Sequence, residues 1–193
     1  MNTNTSKKTF LLVEGALMIA MAFVLSYIKL YDMPMGGSIT LEMIPLVIMG
    51  LRHGVKWGTF TAAVHGIIQL ILGFSNVMYC ATIPAMIGCV LLDYLFAFTV
   101  LGLAGLFLPL FKNKLIGAAV GTAICGALRF LCSFLSGWLL WGSYAPMGWS
   151  VAYYSLIYNG SYMLPNIIIG VIVILIIGKT APGFLFQKRE NDR

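Results

Sequence analysis

Charged residues are scarce in this chain of 193 residues. Asp, Glu, Lys and Arg together make up 9% of the sequence, whereas 60% of the residues are hydrophobic and the mean hydropathy is +0.94. A soluble domain of this size cannot bury so much apolar surface, so the sequence predicts an integral membrane protein. Because no hydrophilic run is long enough for a second domain, we expect one transmembrane domain over residues 1–193.

Motifs of enzymes and ATPases are also missing. The sequence has no GxxxxGK[ST] phosphate-binding loop, no HExxH and only two His, so we expect a protein that is not an enzyme. Its four Cys show neither a CxxC pair nor a zinc spacing, and we interpret them as small apolar packing residues. We therefore expect no metal site and no cofactor.

Long apolar segments are what the sequence does contain, and they predict an all-α bundle of six membrane-spanning helices. The approximate ranges are 9–31, 40–51, 57–73, 84–110, 115–141 and 154–177. The second segment is only about 18 Å long as a helix, so we expect it to cross obliquely. Residues 32–39 are predicted to form a loop because they contain Pro and Gly-Gly, and the tail after residue 177 is expected to fray.

The basic residues lie mostly on one side of this predicted bundle. With six crossings both termini share one face, and ten of the twelve Lys and Arg fall there. They are Lys7, Lys8, Arg52, Lys56, Lys112, Lys114, Lys179, Lys188, Arg189 and Arg193. The positive-inside rule then places both termini in the cytoplasm and the loops 32–39, 74–83 and 142–153 outside. The net charge of +6 therefore requires no nucleic-acid partner.

Aromatic rings are concentrated between Trp138 and Asn159, with three Trp and four Tyr in 22 residues and no charged side chain. Rings at the end of a membrane segment are typical of the interfacial aromatic belt. Their number also favours half of a binding pocket for a planar, polar heterocycle, because flat π faces stack and attract cations. Both interpretations remain open, and a pocket here would face outward.

Asp93 lies well inside the fourth predicted helix, and Arg129 lies inside the fifth. An ionised Asp in the membrane interior costs on the order of 3 kcal/mol, so it needs a partner or a wet cavity. The two residues fall at similar depth. The sequence therefore predicts either an Asp93–Arg129 ion pair, a carboxylate that lines a ligand cavity, or both.

Glu42 opens the short second helix, where a carboxylate is favoured by the helix dipole. Alternatively, it supplies a second anionic group at the mouth of a pocket. Two acids among aromatic rings are typical of a site for a cationic heterocycle. Tyr154 and Asn159 offer hydrogen-bond donors and acceptors for a ring edge, although Asn159 also fits the N-terminus of a helix.

The first helix carries Ala16 and Ala20, four residues apart. Small residues at this spacing let another helix approach closely. They indicate either packing within the bundle or docking to a separate membrane subunit.

Four segments of the chain resemble a known family: MPMGGSITLEMIPL, LRHGVKWG, LLDYLFAF and GSYAPMGWSVAYYSLIYNGSYMLP. They are similar to the thiamine-specific S component of energy-coupling factor (ECF) transporters, the ThiT or YuaJ family, and the resemblance covers nearly the whole chain. It implies a six-helix, high-affinity thiamine-binding subunit in the plasma membrane of a prokaryote, with an outward-facing pocket. Its implied partners are a transmembrane coupling subunit and two ATPase subunits that power uptake.

The resemblance also implies roles for individual residues. It implies that Glu42 faces the thiazolium and Asp93 the aminopyrimidine, and that Trp141 stacks on the pyrimidine. Tyr154 and Asn159 would bind the edge of the pyrimidine, and Tyr94 and Arg129 would lie near the hydroxyethyl end. Ala16 and Ala20 would contact the coupling subunit.

The chain departs from some relatives at two positions. Ser133 stands where some carry a His, and Ser38 matches a Trp of the first outer loop. Both changes remove a ring near the expected thiazolium, which leaves room for another aminopyrimidine or vitamin as ligand. A different hypothesis is an autonomous proton-coupled permease that uses Asp93 and Arg129 as its relay.

Overall fold

The computed structural model describes residues 3–33 and 36–186. The tail residues Lys188, Arg189 and Arg193, which contribute to the predicted charge asymmetry, lie outside these ranges. So do Pro34 and Met35 of the first predicted loop.

Apolar helices dominate the described residues. The main ones are α1 (Thr3–Tyr27), α2 (Met43–His53), α3 (Val55–Leu72), α4 (Phe74–Met78), α5 (Ile83–Cys89), α6 (Phe96–Thr99), α7 (Lys114–Leu139), α8 (Val151–Thr180) and α9 (Pro182–Leu185). Five stretches are long and apolar enough to cross a membrane, namely Lys7–Tyr27, Val55–Leu72, Ile83–Leu110, Lys114–Leu139 and Val151–Thr180. The predicted all-α membrane bundle is confirmed, and α2 is a shorter apolar helix within it.

The fourth predicted helix is not uniformly α-helical. Between α5 and α6 the chain forms a π-helical turn over Val90–Leu95, and after α6 it continues as 3-10 helix over Val100–Leu106 and Leu108–Leu110. Thr82 caps the start of α5, since its hydroxyl accepts a hydrogen bond from the Ala85 amide at 3.3 Å.

The start of α8 and the end of α1 lie at different residues from those predicted. α8 begins at Val151, three residues earlier than predicted, because the Ser150 hydroxyl accepts a hydrogen bond from the Tyr153 amide at 3.3 Å. α1 ends at Tyr27, and the chain then enters a short antiparallel hairpin of β1 (Tyr31–Asp32) and β2 (Ser38–Ile39).

The tail prediction is wrong for its first part. The predicted frayed region begins after residue 177, yet α8 continues to Thr180 and α9 follows it. Leu185 of α9 is fully buried in the main core, so apolar burial holds this segment against the bundle.

The short helix α2 occupies the centre of the fold. Every residue from Met43 to Arg52 is buried. α2 packs against α1, α3 and the 3-10 segment Val100–Leu106. A helix wholly enclosed by others needs no lipid-facing length, which explains how a segment of this size fits the bundle.

Glycines allow the closest of these contacts. A Cβ atom at Gly102 would overlap the carbonyl carbon of Gly58, and one at Gly50 would lie 2.5 Å from the Gly102 carbonyl oxygen. The backbones of α2, α3 and the 3-10 segment therefore touch directly, and this contact fixes their spacing.

Candidate functional site

Glu42, the residue that precedes α2, forms an ion pair with Arg129 of α7. The Arg129 Nη2 atom lies 2.5 Å from Glu42 Oε1, and the two side chains are only 13% and 12% exposed. The second carboxylate oxygen of Glu42 accepts a hydrogen bond from Gln69 Nε2 at 3.3 Å. Side chains from α3 and α7 thus engage both oxygens of Glu42, which makes no side-chain capping bond to α2.

His65 extends this polar cluster, together with Gln69 one turn further along α3. Its Nε2 atom lies 4.0 Å from the Glu42 carboxylate and 3.3 Å from Gln69 Nε2. The imidazole packs edge-on against Phe98 at 5.0 Å, and the Arg129 guanidinium lies 4.4 Å from the centre of the same ring. Sequence analysis missed His65 and Gln69, although their spacing of four on a membrane helix was a visible signal.

Asp93 has different partners from those predicted. Its Oδ2 atom accepts hydrogen bonds from the Ser136 hydroxyl at 2.7 Å, the Cys89 thiol at 3.3 Å and the Trp141 indole at 3.4 Å. These donors are all neutral. The predicted Asp93–Arg129 ion pair is wrong, because Glu42 takes the guanidinium. Helix depth alone could not reveal that the start of α2 reaches between α3 and α7.

Asp93 and Tyr94 lie together in the π-helical turn. Such turns widen the backbone ring and redirect side chains, and they recur at functional sites. The Tyr94 hydroxyl donates to the Gly73 carbonyl at 2.9 Å and lies 3.5 Å from Asn76 Nδ2. Tyr94 thus ties the turn to the predicted outer loop after α3.

Asn159 is buried inside α8, so its interpretation as a helix N-terminus is wrong. Its amide nitrogen donates to the Ser155 carbonyl at 3.0 Å, and its amide oxygen accepts from the Tyr162 hydroxyl at 2.7 Å. Tyr154, Tyr158 and Tyr162 form a ladder along α8, with successive ring centres 5.8 and 6.0 Å apart.

Helix α7 connects the two acidic clusters. Arg129 pairs with Glu42, and Ser136, seven residues further along α7, donates to Asp93. The Tyr162 phenol of α8 lies beside Ser133 of α7. Glu42, through Arg129, and Asp93 therefore approach the same part of the bundle between α7 and α8. This proximity is what a shared ligand cavity requires.

The hairpin of β1 and β2 covers this part of α8. A Cβ atom at Gly37 would lie 2.5 Å from the Tyr162 ring, so the loop backbone packs directly on that ring. The Gly37 amide also approaches the Tyr158 hydroxyl at 3.4 Å. Asn166 holds the end of the hairpin, since it accepts from the Thr40 amide at 2.9 Å and donates to the Ser38 carbonyl at 3.0 Å.

The aromatic side chains between residues 138 and 159 differ in how exposed they are. Trp138, Trp149 and Tyr153 are about half exposed, as interfacial belt residues are. Trp141 and Tyr154 are less exposed, and Trp141 contacts Asp93 directly. The interfacial-belt interpretation therefore fits Trp138, Trp149 and Tyr153, and the binding-pocket interpretation fits Trp141 and Tyr154.

The first helix presents a small-residue surface. Ala16 and Ala20 are exposed and Ala22 is fully buried, so the interpretation of the first two as internal packing residues is wrong. Ala16 lines a groove of about 180 Å³ between α1 and α3, together with Trp57 and Phe60. On the bundle side, Glu14 pairs with Arg52 at 2.6 Å and with His53 at 2.8 Å.

Comparison with known proteins gives consistent matches along the chain. The family model described as thiamine transporter protein (Thia_YuaJ) matches residues 12–186. Thiamine transporter ThiT of Bacillus subtilis is 37% identical over 193 residues, which covers 94% of this chain and 97% of the relative. ThiT of Lacticaseibacillus paracasei is 28% identical over 191 residues, with 94% and 93% covered. A solved structure of ThiT from Listeria monocytogenes superposes with a TM-score of 0.77 at 28% identity, over 93% of this chain and 99% of that one.

Proposed function

This chain belongs to the Thia_YuaJ thiamine transporter family, and from that premise we propose that it is the high-affinity thiamine-binding S component of an ECF transporter. It is a transport protein rather than an enzyme, and a multi-pass protein of the bacterial plasma membrane. We infer further that residues 1–193 form a single transmembrane domain with both termini in the cytoplasm. Its pocket opens to the extracellular side.

The observation that carries this proposal is the environment of Asp93. The carboxylate lies within a membrane-span candidate, and its hydrogen-bond donors among the described residues are a hydroxyl, a thiol and an indole. Neutral donors leave its charge uncompensated, and such a charge is costly in a membrane. Thiamine supplies a planar cation that would balance it. The Trp141 ring beside Asp93 would stack on the pyrimidine.

The other proposed ligand contacts surround this pair. Tyr154 and Asn159 bind the edge of the pyrimidine, and Tyr94 and Arg129 lie toward the hydroxyethyl end. Ser133 borders the cavity beside Tyr162, and Glu42 acts on the ligand together with Arg129. Arg129, which pairs with Glu42, and Ser136, which donates to Asp93, lie seven residues apart on α7, and this supports one shared cavity.

Transport requires energy that this chain has no motif to supply. We propose that a transmembrane coupling subunit docks at Ala16 and Ala20 on α1, and that two partner ATPases hydrolyse ATP. The exposure of both alanines and the apolar groove beside Ala16 support this surface, because small residues allow a partner helix to approach closely.

Calorimetric titration of the purified chain with thiamine, its phosphates, riboflavin and hydroxymethylpyrimidine tests the ligand. We expect thiamine to bind most tightly. Tightest binding of hydroxymethylpyrimidine would instead favour the related aminopyrimidine as ligand.

Vesicles that contain only this chain test the mode of transport. We expect thiamine binding without uptake when a pH gradient is imposed. Uptake under those conditions would overturn the S-component proposal and favour an autonomous permease.

A further inference from the structure

We propose that Glu42 makes this site discriminate against phosphorylated ligands by neutralising Arg129. The inference rests on the proposed function, since it concerns the same cavity and its selection between thiamine and thiamine phosphates. It assigns Glu42 a role in specificity rather than in direct charge pairing with the thiazolium.

Arg129 has the chemistry of a phosphate-binding residue. A guanidinium presents a planar fork of N–H donors that matches phosphate oxygens, and in α7 it lies where the hydroxyethyl end of thiamine is expected. One end of this fork is already occupied, because Nη2 donates to Glu42 Oε1 at 2.5 Å. One face of the guanidinium packs over the Phe98 ring at 4.4 Å. The Glu42 carboxylate therefore competes with a phosphoryl group for Nη2 and neutralises the charge that would attract it.

Glu42 is also held in place. Its second oxygen accepts from Gln69, whose neighbour His65 is fully buried against Phe98. A ligand phosphate would have to displace a carboxylate that is bonded at both oxygens. It would also bring its own charge close to that carboxylate.

The sum of the charges in the proposed cavity also disfavours a phosphorylated ligand. With both carboxylates ionised, Glu42, Asp93 and Arg129 sum to one negative charge. A ligand with one positive charge brings that sum to zero. A phosphoryl group adds about −1.5 to −2 at pH 7, so its ester leaves the cavity strongly negative. Charges repel more strongly in a membrane interior than in water, because the dielectric constant is lower.

The decisive variant is Glu42→Gln, which keeps the side-chain shape and removes the charge. Affinities of the full-length chain for thiamine and thiamine monophosphate are measured by titration at fixed ionic strength. We expect the wild type to prefer thiamine at least tenfold. In Glu42→Gln the ratio of the two dissociation constants should shift at least tenfold toward the phosphate ester.

A matched control is Glu14→Gln. It makes the same change in another buried carboxylate, which pairs with Arg52 at 2.6 Å and with His53 and lies outside the proposed cavity. The control should leave the preference ratio as in the wild type. An equal shift in the control would overturn the inference, because the effect would then follow from net charge alone.

A double variant, Glu42→Gln with Arg129→Gln, tests the proposed route through Arg129. The gain in phosphate affinity should disappear when the guanidinium is also removed, and its persistence would contradict the proposal. If Glu42→Gln does not fold, the wild-type ratio still decides, since equal affinity for both ligands excludes discrimination. A wild type that binds neither compound would overturn the proposed function itself.

Discussion

At the scale of single residues, the acidic side chains differ in how their charge is compensated. Glu14 has Arg52 and His53 as partners, and Glu42 has Arg129. Asp93 accepts hydrogen bonds from neutral groups within the described part of the chain. Because an uncompensated carboxylate is unfavourable in a membrane, Asp93 is the acid that gains most from a cationic ligand.

Substitution Asp93→Asn should lower thiamine affinity at least tenfold, about 1.4 kcal/mol, because it removes this charge but keeps an oxygen that accepts hydrogen bonds. Isothermal titration of the purified variant measures the effect. Asp32→Asn is the matched control, since Asp32 pairs with Lys29 on the exposed hairpin and should leave binding unchanged. Wild-type affinity in Asp93→Asn would show that this carboxylate has a structural role only.

At the scale of elements, α2 is held at both ends and along its length. At its N-terminal end, Glu42 bonds to Gln69 and Arg129. At its C-terminal end, Arg52 pairs with Glu14, donates to the Phe184 carbonyl and lies over the Phe184 ring. The glycine contacts lie between these ends. A displacement of α2 would therefore disturb the proposed ligand cavity and the packing of α9 together.

Gly102→Ala should destabilise the protein by about 1–3 kcal/mol, because the added Cβ would overlap the backbone of Gly58 and Thr59, which cannot rotate away. A lower melting temperature in detergent, by about 2–4 °C per kcal/mol, would report this loss. Gly183→Ala in α9 is the control, since no atom lies within 4 Å of the place that its added methyl group would take. Equal melting of both variants would mean that the helices separate at little cost.

At the scale of the whole molecule, two surfaces serve different purposes in the proposed transporter. The proposed ligand cavity is the acidic and aromatic region between α7, α8 and the start of α2. The apolar groove lies between α1 and α3, near the other end of α2. Their separation allows ligand capture and partner docking to be changed independently.

Ala16→Trp should leave thiamine binding intact and stop uptake in cells, because the indole would fill the groove where the coupling subunit docks. Binding to purified protein and uptake of labelled thiamine are the two measurements. Ile168→Trp, an equally bulky change at an exposed position of α8, should preserve both. Weaker binding in Ala16→Trp would show that this face supports the cavity instead of a partner.

Sequence patterns predicted much of the fold. The five long apolar segments matched membrane-span candidates because their length and composition are local properties. Ser150 as a cap, the hairpin inside the predicted first loop and the π-helical turn at Asp93 were missed. Hairpin pairing and π-helical geometry depend on contacts with α8 and with the loop after α3, which local composition does not contain.

The sequence by itself determined that the chain is a helical membrane protein with few charged residues, and it marked Asp93 and Arg129 as charges inside helices. Only the tertiary structure decided how the charges pair. Arg129 joins Glu42, 87 positions away along the chain, rather than Asp93, which lies closer in sequence. The physical reason is that ion pairing depends on distance in space, and helix packing brings the start of α2 to α7.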